Sequence, residues 1–130
     1  MTPGPITVYV VEDEPSVRQG LARLIGSAGM RAEGFATVSA MLEHAPFAER
    51  ACVVADIRLP KTGGLELPAL LAKRGRPLPV IFITAYPTDE IRAAAKQAGA
   101  AALFRKPVDG DALLDAITWA IQASDAPPTS

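Results

Sequence analysis

The chain has 130 residues, the usual size of one domain, and 49% of them are hydrophobic, which is enough to build one core. Its formal net charge of -1 argues against an electrostatic surface for nucleic acid or an anionic membrane, and a single cysteine excludes an internal disulfide. No apolar run approaches the roughly 20 residues that span a bilayer, and no signal peptide is recognisable at the start. We therefore expect a soluble, cytoplasmic protein of one domain.

Five short runs are predicted strands. Three of them, at residues 7–11, 51–55 and 80–83, are rich in apolar, mostly β-branched residues and do not alternate polar with apolar side chains. That pattern is typical of strands that are buried on both faces of a parallel sheet. Residues 31–35 and 101–104 are weaker strand predictions.

The segments between these runs have the period of helices. Apolar residues recur at the spacing of one helix face after the first strand (Val17, Leu21, Leu24, Ile25). A second stripe lies near the end of the chain (Leu113, Leu114, Ile117, Ile121). Residues 88–90 combine a capping threonine with two acids, which suits a helix start. Five strands alternating with five helices predict a doubly wound α/β fold with right-handed crossovers.

Chemically useful side chains follow four of the predicted strands: Glu12 and Asp13, Asp56, Thr84, and Lys106. Ligands bind beyond the carboxyl ends of the strands in an open parallel sheet, so we expect these five residues to converge there. Each of them is common at a turn or on a surface when it occurs alone. Their conjunction at one edge of the sheet is what predicts a site.

The residue types fit a phosphoryl transfer. Carboxylates are hard oxygen ligands that suit Mg²⁺, and three crowded acids repel one another unless a cation lies among them. If one carboxylate attacks phosphorus, a metal ion and a lysine can neutralise the oxygens of the transferred group. Lys106 is the candidate cation, and Thr84 offers a hydroxyl to a phosphoryl oxygen.

These residues lie in four blocks that resemble the signature of the response-regulator receiver family, often called CheY-like. The blocks cover residues 10–14, 56–60, 83–85 and 106–107, and the similarity runs from about Thr7 to about Ser124. Residues 56–60 and 64–67 are most similar to the nitrogen-fixation-regulator (FixJ-like) branch. The resemblance implies a bacterial receiver domain over residues 1–124, with residues 125–130 as a disordered tail or the start of a linker.

The resemblance also implies a five-stranded sheet in the order 2-1-3-4-5, the flavodoxin-like order for which this family is a standard example. Asp56 would be the phosphoacceptor of a two-component system. Asp13 would bind Mg²⁺ directly, Glu12 would bind it through water, and the backbone carbonyl of Arg58 would be a third protein ligand. Thr84 and Lys106 would contact the phosphoryl group.

The implied partner is a sensor histidine kinase or a phosphotransfer protein, and the implied output is a change in partner binding or in an output domain. A homodimer through the last helices and the last strand fits the same family, with no contact to membrane or nucleic acid by this domain. The domain would catalyse its own phosphorylation and dephosphorylation without acting on a separate metabolite. The bond between Lys106 and Pro107 is expected to be cis.

Two positions are expected to modulate the switch. Many receivers have an aromatic residue three positions before the conserved lysine, whereas this chain has Leu103 there and Phe104 one step later. We therefore expect no aromatic rotamer switch at Leu103. Tyr86, two residues after the threonine of the site, is expected to flank the mouth of the site with Arg58 and to slow the attack of water.

Three alternatives come from other classes. An aspartate-nucleophile phosphatase of the haloacid-dehalogenase type needs an acid two residues after its nucleophile, where this chain has Arg58, which cannot accept a proton. A flavodoxin-like flavin module would need a phosphate loop after the first strand, where the acids of residues 12–14 would repel a phosphate. A degenerate receiver would lack phosphorylation residues that are all present here.

Overall fold

The computed structural model describes residues 4–58 and 64–125, and its centre is a five-stranded sheet. The strands are β1 (Thr7–Val11), β2 (Arg31–Phe35), β3 (Ala51–Asp56), β4 (Val80–Thr84) and β5 (Ala102–Arg105). All neighbours pair in parallel, in the order β2-β1-β3-β4-β5. The predicted fold class and strand order are confirmed, and the weak last strand lies one residue later than predicted.

Helices alternate with the strands. They are α1 (Pro15–Ser27), α2 (Val38–Leu42), α3 (Leu67–Lys73), α4 (Asp89–Gln97) and α5 (Gly110–Asp125), with a short 3₁₀ turn at Gly64–Glu66. Threonine hydroxyls cap α2 and α4 by accepting the amide hydrogens of residues 40 and 91. Helix α5 includes Asp125, one residue past the predicted end of the domain. The remaining tail, residues 126–130, lies outside the described residues.

The sheet carries an apolar cluster on each face because side chains alternate along every strand. On one face, Tyr9 and Val11 of β1 pack with α2, α3 and α4. On the other face, Val8 and Val10 pack with α1 and α5, and Cys52 of β3 is buried there. Both faces are thus covered, so strand β1 can be buried along its whole length. Within the described ranges, no helix is long and apolar enough to cross a membrane.

Candidate functional site

Three acids meet at the carboxyl edge of the sheet. Glu12 and Asp13 follow β1, and Asp56 ends β3, the strand that pairs with β1. One carboxylate oxygen from each of the three lies within 4.8 Å of the others. The side chain of Glu12 is fully buried and Asp56 is 7% exposed, whereas Asp13 faces solvent. The parallel topology therefore brings together the acids that the sequence pattern singled out.

Lys106 lies among these acids. Its Nζ donates to Glu12 Oε1 at 2.6 Å and to Asp56 Oδ2 at 2.7 Å. Its backbone N–H donates to the carbonyl of Thr84 at 2.8 Å, so the end of β4 holds the start of the loop that carries the lysine. The peptide bond between Lys106 and Pro107 is cis. Lys106 thus offsets part of the negative charge of the three acids.

The surroundings shift two pKa values. Burial raises the pKa of the Glu12 carboxyl, and the hydrogen bond from Lys106 opposes that shift without cancelling it. Burial alone would lower the pKa of Lys106, but its hydrogen bonds to Asp56 and Glu12 outweigh burial and the pKa is raised. Lys106 therefore stays charged at neutral pH while it bridges the two acids.

Glu12 is held at four points. Its backbone N–H donates to the carbonyl of Phe35 at 2.9 Å, and its backbone carbonyl accepts from Nη1 of Arg18 at 2.7 Å. One carboxylate oxygen binds Lys106 and the other accepts from the backbone N–H of Glu14 at 3.3 Å. Arg18 was not predicted from the sequence. It lies in α1, outside the four motif blocks, and has no distinguishing feature beyond its charge.

The remaining predicted residues form the mouth of the site. Thr84 is buried at the end of β4, and its hydroxyl accepts from the backbone N–H of Tyr86 at 3.2 Å. The backbone N–H of Arg58 donates to Asp56 Oδ1 at 2.9 Å. The guanidinium of Arg58 lies 5.2 Å from the centre of the ring of Tyr86, which is 63% exposed. These two side chains therefore form a cation–π pair beside Asp56.

Gly64 supports the same edge from behind. A Cβ atom at this position would lie 2.5 Å from the carbonyl oxygen of Asp56 and 3.1 Å from the Cα of Ile57. Its N–H donates to the carbonyl of Ile57 at 3.2 Å. The resemblance included this glycine without a role. The structure supplies one, since only glycine lets the chain pass so close to the end of β3.

Leu103 lies away from the acids. It is half-buried on β5, packs against the cluster shared with α4, and lines a hollow of about 310 Å³ with Arg92 and Lys96. Phe104, the next residue, packs against the opposite face with α1 and α5. The aromatic ring therefore points to the other side of the sheet from the position where the aromatic residue of many receivers would lie.

A family model described as the response regulator receiver domain matches residues 8–118. The chain therefore belongs to the response-regulator receiver family, and it is a receiver domain of the two-component type rather than a classical enzyme. The haloacid-dehalogenase alternative is not supported, because the matching family model is that of a receiver domain.

Two curated relatives illustrate the similarity. The transcriptional regulatory protein TdiR of Thauera aromatica is 36% identical over 115 residues, which are 88% of this chain and 51% of that protein. The transcriptional regulatory protein FixJ of Azorhizobium caulinodans is 33% identical over 115 residues, which are 88% of this chain and 54% of that protein. The chain thus spans about half the length of the curated relatives it matches.

Solved structures show the same fold. FixJ-N matches with a TM-score of 0.84 at 28% identity, covering 98% of this chain and 100% of that one. The response regulator StyR matches with a TM-score of 0.83 at 39% identity, covering 92% of this chain and 61% of that one. These matches support both the fold and the similarity to the FixJ-like branch that the sequence motifs indicated.

Proposed function

We propose that Asp56 accepts a phosphoryl group from the phosphohistidine of a sensor kinase in a Mg²⁺-dependent reaction, and that the domain then changes its affinity for a partner. The observation that carries this proposal is the position of the Asp56 carboxylate. It lies at the open edge of the sheet between the ammonium of Lys106, at 2.7 Å, and the carboxylates of Glu12 and Asp13.

The donor set fits a magnesium ion. Mg²⁺ prefers oxygen ligands, keeps several waters and uses one or two carboxylates. Asp13 is exposed and Asp56 keeps 7% of its surface exposed, so both can bind an ion directly, whereas Glu12 is fully buried. This supports direct binding by the two aspartates and binding through water by Glu12, with the Arg58 carbonyl as a further ligand. When bound, the metal would offset negative charge on the transferred group.

The residues of the chain would divide the work. A carboxylate oxygen of Asp56 forms the new bond to phosphorus while the bond from phosphorus to the donor histidine nitrogen breaks, and that nitrogen keeps the electron pair. The ammonium of Lys106 and the hydroxyl of Thr84 then bind oxygens of the phosphoryl group. Because that hydroxyl now accepts from the N–H of Tyr86, donation to a phosphoryl oxygen would move Thr84 and the loop that follows it.

The direct test is covalent chemistry at Asp56. With Mg²⁺ and acetyl phosphate, intact mass should rise by one phosphoryl group. Asp56→Asn should abolish the gain because the nucleophile is lost, and Asp13→Asn should weaken it because a metal ligand is lost. A stable phosphoryl group on serine, threonine or histidine would contradict the proposal.

A hollow beside Lys106 supports access by a protein donor. It has a volume of about 470 Å³ and lies between α1 and Pro107, with Val17, Gly20 and Val108 among its mostly apolar lining. A Cβ at Gly20 would meet no atom of the described residues within 4 Å, so the open side of this hollow leaves room for an approaching partner.

Gly20→Arg should therefore slow phosphorylation by a kinase without slowing phosphorylation by acetyl phosphate. Gly26→Arg is the matched control, because Gly26 is also exposed on α1 with open space around it. Equal transfer from a kinase to both variants would place the donor elsewhere.

The pair of Arg58 and Tyr86 would set the lifetime of the aspartyl phosphate. The two side chains stack on each other, and at the mouth of the site they would restrict the approach of water to Asp56. Tyr86→Ala should shorten the lifetime several-fold, and Arg58→Ala should shorten it as well because the stacked pair is lost. A lifetime unchanged in both variants would show that water enters by another route.

The conformational response would centre on Thr84, residues 85–88 and α4, without a rotamer switch at Leu103. The affected surface, made by α4, β5 and α5, is where a homodimer or another partner would bind. NMR shifts with and without beryllofluoride test this in the parent and in Leu103→Tyr. Shifts confined to α1 and the loop after Asp56 would contradict it, and so would loss of the response at residues 85–88 in Leu103→Ala.

A further inference from the structure

Arg18 reaches the metal-binding acids across the edge of the sheet. It lies in the first turns of α1, and its side chain passes over Gly34 of the edge strand β2 before its Nη1 meets the Glu12 carbonyl at 2.7 Å. A Cβ at Gly34 would lie 3.0 Å from both Cγ and Cδ of Arg18. The glycine therefore leaves the slot through which the arginine passes.

The bonded carbonyl lies at a critical point of the chain. Strand β1 ends at Val11, so the Glu12 carbonyl has no strand partner to pair with in the ladder. That carbonyl belongs to the peptide that joins Glu12 to Asp13. A hydrogen bond from a charged donor fixes the plane of this peptide, and the plane sets the directions in which both side chains leave the backbone.

We propose that Arg18 is a positioning residue for the metal site, and that Gly34 is the slot that admits it. The inference rests on the proposed function, since it concerns binding of Mg²⁺ at the acids of that site. Arg18 would touch neither a bound metal ion nor Asp56. It acts by holding the peptide from which Asp13 projects.

The charge and the hydrogen bond of Arg18 predict opposite effects on metal affinity. A guanidinium near the acids repels a divalent cation, so its removal would tighten Mg²⁺ binding if charge alone mattered. Loss of positioning would weaken binding, because the acid side chains would have to be ordered when the ion arrives. Residues that orient metal ligands typically contribute about tenfold or more to affinity. The direction of the change therefore separates the two roles.

The first experiment titrates MgCl₂ into the whole protein by calorimetry. Arg18→Met should bind Mg²⁺ about tenfold more weakly. Arg18→Lys should recover part of the affinity, because it keeps a donor. Arg23→Met, an exposed arginine on the same helix, removes the same charge and should stay within about twofold of the parent. With acetyl phosphate, Arg18→Met should need more Mg²⁺ for half-maximal rate and approach the parental rate at saturation.

The second experiment uses the slot. Gly34→Ala should weaken Mg²⁺ binding in the parent, because the new methyl group displaces the stem of Arg18, and it should have no further effect in Arg18→Met. Such non-additivity is the signature of two residues that act through one contact. Gly34→Ala and Arg18→Lys also carry the test if Arg18→Met fails to fold.

The outcomes are distinct. Unchanged or tighter binding in Arg18→Met, or additive effects of the two substitutions, would overturn the role of Arg18 while leaving the proposed function intact. A parent that neither binds Mg²⁺ nor gains a phosphoryl group would overturn the proposed function, and this inference with it. Weaker binding in Arg18→Met and Gly34→Ala, with Arg23→Met unchanged, would establish the positioning role.

Discussion

Two cations hold opposite edges of the sheet. At the carboxyl edge, Lys106 binds the carboxylates of Glu12 and Asp56. At the amino edge, in the loop before β4, the guanidinium of Arg76 donates to the backbone carbonyls of residues 47, 48 and 49 in the loop before β3, at 3.2 Å for the first and 2.9 Å for the last. Lys106 thus joins the ends of two strands, whereas Arg76 joins its own loop to three consecutive carbonyls of another.

The hydrogen-bond acceptors of the two cations explain why the carboxyl edge is a candidate site while the contacts at the amino edge only stabilise the fold, as a brace between two loops. The backbone carbonyls that accept from Arg76 are neutral and do not bind metal ions or phosphoryl groups in competition with it, so Arg76 makes a permanent connection between two loops. Carboxylates are charged groups that a metal ion and a phosphoryl group can also engage, so the contacts of Lys106 can be exchanged. A half-buried cation therefore stabilises the fold when its acceptors are neutral carbonyls. When its acceptors are carboxylates, its contacts can be replaced during a reaction.

The largest expected difference between the edges is chemical. Lys106→Met should slow phosphorylation by acetyl phosphate by about a hundredfold or more, since one donor aimed at developing charge contributes that much. Arg76→Met should leave the rate unchanged, because it lies at the opposite edge. The rate of mass gain at saturating Mg²⁺ measures both. Parental rates in Lys106→Met would remove the lysine from the proposed mechanism.

Stability should show the reverse order. Arg76→Met removes three hydrogen bonds from a charged donor to backbone carbonyls and should lower the free energy of unfolding by about 3 kcal/mol. Lys106→Met should lower it by only about 1–2 kcal/mol, less than a fully buried pair, because Glu12 can bind a proton once the lysine is gone. Urea unfolding without metal measures both values. A larger loss in Lys106→Met would mean that its ion pairs also serve as a brace.

The acids themselves should be a source of instability at the carboxyl edge. Asp13→Asn should raise the free energy of unfolding of the metal-free protein by about 1 kcal/mol, because it removes one of three crowded negative charges. Mg²⁺ should raise the melting temperature of the parent and of Arg76→Met by mass action, with a much smaller rise in Asp13→Asn. A metal-free Asp13→Asn that melts below the parent would show that Asp13 is structural.

The smallest expected effect is a difference between Lys106 and Arg76 in how their contributions to stability depend on pH. The raised pKa of Lys106 means that its contribution to stability is complete below the ordinary lysine value of 10.5 and is lost as pH rises through the folded value. Arginine keeps its charge throughout this range. The stability difference between the parent and Lys106→Met should therefore shrink as pH rises above the ordinary lysine value of 10.5, while the difference for Arg76→Met stays constant. Urea unfolding at neutral pH and at a pH above 10.5 checks this.

Much of the fold follows from local sequence. The runs that became β1, β3 and β4 do not alternate polar with apolar residues and are buried at every position, as expected of strands covered on both faces. The predicted position of the weaker β5 was wrong by one residue, because partly buried alanines carry little strand signal. Helix α5 ends at Asp125, one residue past the predicted end of the domain, because residues 124–126 include no glycine or proline to mark where the helix ends.

The site was predictable in its members but not in its contacts. A carboxyl group after a strand, repeated on neighbouring strands, places Glu12, Asp13 and Asp56 together by topology alone. That Lys106 binds Glu12 as well as Asp56 depends on side-chain paths across 94 residues of sequence separation. The same holds for His44, whose Nε2 lies 3.2 Å from Glu33 Oε2 and whose ring packs beside Phe35.

The sequence by itself determined the class of fold and the edge of the sheet where the chemistry collects, because the period of apolar residues, the alternation of strands with helices and the residue types are local properties. The family and the strand order came from the resemblance of the four motif blocks. Only the tertiary structure decided how that edge is held. The slot at Gly34, the reach of Arg18 to the Glu12 carbonyl and the close approach of Gly64 to Asp56 join segments that are distant in sequence. Such contacts depend on distances of a few tenths of an ångström, which packing sets and residue order does not encode in any local pattern.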